Sequence, residues 1–263
     1  MTQQLSALAD VFAGVRAQNR SALIGYLPAG FPSRAGSADA FKALIDGGCD
    51  VVEVGMPYSD PVMDGPTVQA AADRALRDGT RIADLLRIVE AASNHGGVPV
   101  VMTYWAPVTR YGVDRFARDL ANAGGRGLIT PDLIPDEAGE WLSASAEHDL
   151  DRIFLVAPSS TPERLQMTVD ACSGFIYAAS TMGVTGARDQ IGQMAPDLVA
   201  RTRACTDLPI GVGLGVRTPE HVREIAAYAD AVIVGSALVT AVDDSLSSTR
   251  TLVHSLREAT VHA

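Results

Sequence analysis

Residues 50–55 read DVVEVG, a short run in which apolar residues follow one another without alternation. A strand with one face in water alternates apolar and polar side chains, so this run indicates a strand covered on both faces. Glu53 interrupts it, and a carboxylate in such a strand is costly unless it has a partner or stays protonated. The stretch therefore predicts a buried parallel strand with one chemically unusual residue.

Seven further runs of the same kind are spread along the chain, at 21–29, 99–105, 127–130, 152–157, 175–180, 209–213 and 231–236. Amphipathic segments lie between them, several of them closed by glycine, as helices commonly are. Eight such units in 263 residues predict a (β/α)8 TIM barrel with an extra N-terminal helix, as a single domain over 1–263. The alternative is an open doubly wound sheet, but the first turn, GYLPAGFPS, lacks the glycine pattern that such a sheet would want.

Composition narrows the classes of partner. A formal net charge of −10 argues against nucleic acid and against an anionic membrane surface. No apolar run approaches the roughly 20 residues of a membrane span, and the first twenty residues lack a secretion signal. The expectation is a cytoplasmic protein. The three cysteines are widely spaced, which favours a structural role for each of them.

In a barrel of this kind, functional side chains lie where the strands end. Glu53 is two residues before such an end, where it is either a structural ion-pair partner of an arginine or a general acid/base with a pKa near neutrality. Asp60 and Asp64 follow in MPYSDPVMDGP. Asp60 precedes a proline and is interpreted as a turn former, whereas Asp64 either introduces the next helix or acts in the site.

Glycine-bearing loops follow three successive strands late in the chain: GVTGAR at 183–188, GVGLGVRTPE at 211–220 and GSAL at 235–238. Glycine lets backbone N–H groups approach an anion, and a helix N-terminus adds its dipole. Loops in these positions form the phosphate site of many barrels. The pattern predicts a phosphate-bearing ligand.

The residues that Schiff-base and metal-assisted catalysis require are missing from the predicted strand ends. Lys42 is the only lysine and lies in a predicted helix, so no strand-end lysine is present for a Schiff base. The five histidines fall on predicted helices, helix ends or the C-terminal tail, and no metal site is expected. The side chains that remain as candidates for catalysis are carboxylates and tyrosines. Tyr177, in the sixth predicted strand, either reaches toward Glu53 or packs in the core.

With these residues assembled, the chain closely resembles the tryptophan synthase alpha chain family. The resemblance is carried by YLPAGFPS, DVVEVGMPYSDPVMDGPTVQ, VMTYWAPV, GLITPDLIP, GFIYAASTMGVTG, PIGVGLGVRTPEHV and IVGSALV, which span the chain nearly end to end. It implies a (β/α)8 fold and the retro-aldol cleavage of indole-3-glycerol phosphate to indole and glyceraldehyde 3-phosphate.

The resemblance also implies roles for single residues. Glu53 and Asp64 match the catalytic acids, and Tyr177 matches the tyrosine beside them. The resemblance assigns the phosphate-binding backbone to Gly186, Gly215, Gly235 and Ser236. It assigns closure of the loop after strand six to Thr185. The family's alpha chain uses no cofactor and pairs with a pyridoxal-phosphate beta chain in an α2β2 complex. Two departures from the family, Ala106 and Thr181, concern loop closure and signalling between subunits.

Several alternatives remain at this stage. An indole-glycerol-phosphate synthase would want a strand-end lysine, and a histidine-pathway isomerase would want an aspartate pair on strands one and five, which here end LPAG and APSS. A non-catalytic regulatory partner would not need Glu53, Asp64 and Tyr177 together. A stand-alone lyase that releases indole without a beta chain is not distinguished from the subunit by sequence.

Overall fold

The computed structural model describes residues 6, 8–179, 194–213 and 215–262. Eight parallel strands close into a barrel in which each strand pairs with its neighbours in chain order and β8 pairs with β1. The strands are β1 Ala22–Pro28, β2 Val51–Gly55, β3 Pro99–Met102, β4 Gly127–Thr130, β5 Asp151–Val156, β6 Ile176–Ala179, β7 Ile210–Gly213 and β8 Ala231–Val234. The TIM-barrel prediction is confirmed; the single domain over 1–263 stays a prediction.

Helices surround the barrel, and the predicted extra helix, α1, precedes β1. The described helices are α1 Ala9–Ala17, α2 Ser37–Gly47, α3 Pro66–Arg77, α4 Ile82–Asn94, α5 Trp105–Tyr111, α6 Val113–Asn122, α7 Gly139–Glu147, α8 Pro162–Ala171, α9 Met194–Arg203, α10 Pro219–Ala226, α11 Ser236–Asp244 and α12 Leu246–Glu258. A short 3-10 turn spans Pro135–Glu137. Within the described ranges, no helix is both long enough and apolar enough to cross a membrane.

The third strand is shorter than its sequence suggests. The apolar and aromatic run extends to Trp105, but β3 ends at Met102 and Trp105 is already the first residue of α5. The Asp132 carboxylate accepts the Trp105 N–H at 2.9 Å and 3.1 Å, which satisfies a helix-start amide that has no partner inside the helix. A contact with the loop after β4 therefore overrides the strand propensity of the aromatic residues.

Alternation along β2 sets which way Glu53 faces. Val51 belongs to the apolar cluster inside the barrel, whereas Val52 and Val54 belong to the cluster between strands and helices. Successive side chains of a strand point to opposite faces, so Glu53 points into the barrel with Val51. At the other end α1 closes the barrel, with the Phe12 and Phe175 rings 5.9 Å apart. The barrel is thus apolar at its floor and acidic at its mouth.

Candidate active site

A cavity opens at the C-terminal ends of the strands, where barrel enzymes hold their substrates. Residues predicted for catalysis and residues predicted for phosphate binding line it together: Glu53, Asp64, Tyr177, Gly215, Gly235 and Ser236. Gly186 and Thr185, which complete the predicted set, lie outside the described residues, as does Thr181. The described part of the predicted site therefore forms one cavity.

Glu53 is buried at the base of this cavity, with 1% of its surface exposed. Its Oε2 atom has no hydrogen-bond partner among the described residues. Loss of water around the carboxyl group, and then the nearby charge of Asp64, raise the pKa of Glu53 to about 8. Among the described residues no arginine forms an ion pair with Glu53, and the buried Arg20 bonds Asp50, at 2.7 Å through two N–H groups. Glu53 is therefore protonated at neutral pH and poised to exchange a proton.

Asp64 lies on the loop between β2 and α3. The N-cap of α3 is Gly65, and no side chain caps that helix, so Asp64 does not serve as the helix starter. Its backbone carbonyl accepts the Gln69 side-chain amide at 2.7 Å, while its carboxylate lines the cavity. Partial burial raises the pKa of Asp64 to about 6. Asp60, four residues earlier, is exposed, and its carboxylate accepts the Ser59 hydroxyl.

The proposed phosphate end of the cavity is made by backbone. Gly235 precedes α11 and Ser236 begins it. The first N–H groups of a helix have no acceptor within the helix, so those of α11 can bind an anion in the cavity. Gly215, after β7, adopts a φ of +55°, a left-handed conformation that glycine takes without strain. This geometry suits an anion held by N–H groups and a helix dipole.

The described part of the chain has one group of possible metal ligands, and it lies away from the cavity. Asp114, Glu147 and His148 bring their ligand atoms within 4.8 Å of one another on the outer helices α6 and α7. Asp114 and Glu147 are exposed, and His148 contacts Asp114 at 3.1 Å. The group is therefore a polar surface contact outside the cavity.

Comparison with known proteins agrees with this geometry. The family model of the tryptophan synthase alpha chain matches residues 12–262. The chain belongs to the tryptophan synthase alpha chain family. The alpha chain of Nocardia farcinica is 63% identical over 258 residues, covering 98% of this chain and 97% of that one. The Mycobacterium tuberculosis H37Rv alpha chain is 63% identical over 253 residues, covering 96% and 94%.

The fold comparison gives the same result. A solved structure of Mycobacterium tuberculosis tryptophan synthase matches with a TM-score of 0.95 and 62% identity, covering 98% of this chain and 99% of that one. At this identity and coverage, the likeness extends over the barrel, its loops and its helices together. The cavity therefore lies in a barrel of the alpha-chain family.

The cavity of this alpha chain also contains a tyrosine that the sequence patterns did not mark. Tyr26 on β1 lies directly opposite Glu53 in the strand register and lines the cavity. Burial and the charges of Asp64 and Glu53 raise the pKa of Tyr26 well above its usual value, which keeps the phenol neutral. Period-two alternation could have found it, because Ala22 and Ile24 face the interior and Tyr26 continues that face.

Tyr177 owes its inward position to the absence of a side chain on the next strand. A Cβ atom built on Gly213 would lie 2.3 Å from the Tyr177 hydroxyl oxygen. Burial, Glu53 and Asp64 raise the pKa of Tyr177 well above its usual value, so this phenol is neutral as well. Gly213 therefore makes room for the Tyr177 ring beside the acids.

Gly213→Ala is expected to displace the Tyr177 ring and to lower the free energy of unfolding by about 1–3 kcal/mol, as overpacking of a core does. Indole release should fall with it, because the displaced ring intrudes on the cavity. Gly139→Ala is the matched control, since a Cβ at Gly139 meets nothing within 4 Å. Denaturant unfolding and activity of the two variants check this; equal behaviour would contradict the steric argument.

Proposed function

We propose that Glu53 and Asp64 together carry out the retro-aldol cleavage of indole-3-glycerol phosphate, with Glu53 as the acid/base and Asp64 as the partner of the indole nitrogen. The observation that carries this proposal is that two carboxyl residues in different surroundings line one cavity, Glu53 being buried and Asp64 only partly so. The pKa of Glu53 is raised to about 8 and that of Asp64 to about 6. At pH 7, Glu53 holds a proton and Asp64 carries a charge, which assigns acid and stabiliser.

The chemistry needs both roles. The bond between the indole ring and the glycerol chain breaks only if the ring can leave as neutral indole, so ring carbon C3 must first gain a proton. Glu53 donates that proton, and positive charge develops at the ring nitrogen, where the Asp64 carboxylate stabilises it. The Glu53 carboxylate then accepts the proton of the hydroxyl on the carbon bonded to C3. The C–C bond electrons return to the ring, and Glu53 ends protonated.

The remaining cavity residues fit binding rather than proton transfer. Gly215, Gly235 and Ser236 present backbone N–H groups that suit the phosphate. Tyr177 stays neutral and completes the wall beside Glu53. Gly186 and Thr185 keep their proposed roles in phosphate binding and loop closure on the basis of the resemblance alone. Binding of the phosphate at these amides would place the indole ring beside Glu53 and Asp64.

The partner proposed is a tryptophan synthase beta chain in an α2β2 complex. Two large apolar side chains near the cavity mouth support an interface there: Val62, after β2, is 67% exposed, and Ile134, after β4, is 43% exposed. The alpha chain itself is proposed to use no cofactor, with pyridoxal phosphate bound by the beta chain. Ala106, on α5, lies in the neighbouring segment predicted to face the partner. A cytoplasmic location stays a prediction.

The proposed function predicts that the purified chain releases indole from indole-3-glycerol phosphate, and that a purified beta chain strongly stimulates this release. Assays with and without the beta chain measure both rates. Equal rates would favour the stand-alone lyase over the subunit. No indole release under either condition, with the beta chain itself active, would favour a regulatory partner and overturn the proposal.

A further inference from the structure

The loop that carries Asp64 is held by a tyrosine that the proposed proton transfers do not use. The Tyr104 hydroxyl oxygen accepts the backbone N–H of Val62 at 2.9 Å and that of Met63 at 3.2 Å. These two amides directly precede Asp64 in the chain. The hydrogen bonds therefore fix the backbone one residue away from the carboxylate.

A second contact fixes the other end of the same loop. The ring of Tyr58 stacks on the ring of Tyr104, with centroids 4.8 Å apart and planes inclined by 27°. Stacked aromatic pairs contribute about 0.5–1.5 kcal/mol beyond their buried area. Tyr104 thus contacts the loop twice, through its ring near the start of the loop and through its oxygen near Asp64.

Tyr104 is itself attached to the rigid part of the barrel and is only 6% exposed. The residue before it donates its backbone N–H to the Ile129 carbonyl of β4 at 3.1 Å. The residue after it, Trp105, begins α5 and is bonded by the Asp132 carboxylate. Backbone contacts on both sides therefore place the Tyr104 hydroxyl at a fixed point relative to β3 and β4.

We propose that Tyr104 is a positioning residue, which holds the loop so that the Asp64 carboxylate faces the indole nitrogen. This inference rests on the proposed role of Asp64. The segment around Asp64 lies between β2 and α3, outside both elements, and its two hydrogen bonds to the Tyr104 oxygen constrain its path beside that residue. A displacement of about 1 Å in such a group can cost on the order of 10²-fold in rate.

Tyr104→Phe tests the inference, because phenylalanine keeps the ring and the stack and removes only the oxygen. We expect kcat for indole release, in the presence of the beta chain, to fall roughly 10- to 100-fold with little change in KM. Tyr58→Phe is the matched control: it removes a hydroxyl from the other ring of the stack, and kcat should stay at the wild-type value. Wild-type kcat in Tyr104→Phe would overturn the inference, since a purely packing role predicts that result.

Amide hydrogen exchange gives a readout that needs no activity. In Tyr104→Phe the amides of Val62 and Met63 should exchange faster than in the wild type, and in Tyr58→Phe their exchange should be unchanged. Unchanged exchange in Tyr104→Phe would overturn the inference even if the rate fell. Failure of the proposed function is distinguishable, because it appears as absence of indole release by the wild-type chain itself.

Discussion

Glu53→Gln is expected to reduce indole release by roughly 10²–10⁴-fold, the range over which removal of a general acid/base acts. Glutamine keeps the size of the side chain and a polar end but has no proton to exchange with ring carbon C3. Substrate binding should be largely retained, because the phosphate and the indole nitrogen are held by other groups. Steady-state kinetics together with the affinity for a non-cleavable substrate analogue separate these two effects. Near-normal cleavage by Glu53→Gln would remove Glu53 from the mechanism.

The same variant should be more stable than the wild type at alkaline pH. Glu53 has a pKa of about 8 in the folded chain, against 4.5 for an ordinary glutamate carboxyl. The folded state therefore retains a proton that the unfolded state releases, and stability falls as pH rises from about 4.5 to 8. Glutamine does not titrate, so the variant lacks this loss. Relative to the wild type, the free energy of unfolding of Glu53→Gln should increase by up to a few kcal/mol between pH 5 and pH 9. Denaturant unfolding at both pH values measures the gain and shows that lost activity is not lost folding.

The sequence predicts the barrel well because buried parallel strands leave a strong local signal. Each of the eight predicted runs overlaps a strand, with differences of a few residues at the ends. The largest difference, at Trp105, arises from a hydrogen bond to Asp132 that comes from another loop. Local propensity contains no information about such a contact, so strand ends are where the prediction is weakest.

The site is predictable to the extent that its residues interrupt a local pattern. Glu53 stands out because the rest of its strand is apolar. The glycines after β7 and β8 stand out because they recur directly after successive predicted strands. Tyr26 and Tyr104 are not, because aromatic residues are common in and beside strands and their roles depend on register or on a partner far along the chain. For Asp64, local pattern left a helix start and a site residue open and the resemblance favoured the site; the structure adds that the N-cap of α3 is Gly65 rather than Asp64.

Asp64→Asn is the second change with a large expected effect: a loss of indole release on the order of 10²–10³-fold, as for other groups that stabilise developing charge. Asparagine still accepts a hydrogen bond from the indole N–H but supplies no negative charge. Asp60→Asn is the matched control, since it makes the same change four residues away on an exposed side chain of the same loop. Comparable losses in the two variants would mean that the loop, rather than the Asp64 charge, is being perturbed.

The pH dependence of the rate distinguishes the charge of Asp64 from its shape. Wild-type activity should rise as Asp64 loses its proton near pH 6 and fall as Glu53 loses its proton near pH 8. Asp64→Asn should lack the rise near pH 6. Its alkaline fall should also move to lower pH, because the Asp64 charge is one of the two causes that raise the pKa of Glu53. A profile whose limbs are unchanged in Asp64→Asn would show that Asp64 is not the group titrating near pH 6, and that the two carboxyl groups do not act as a coupled pair.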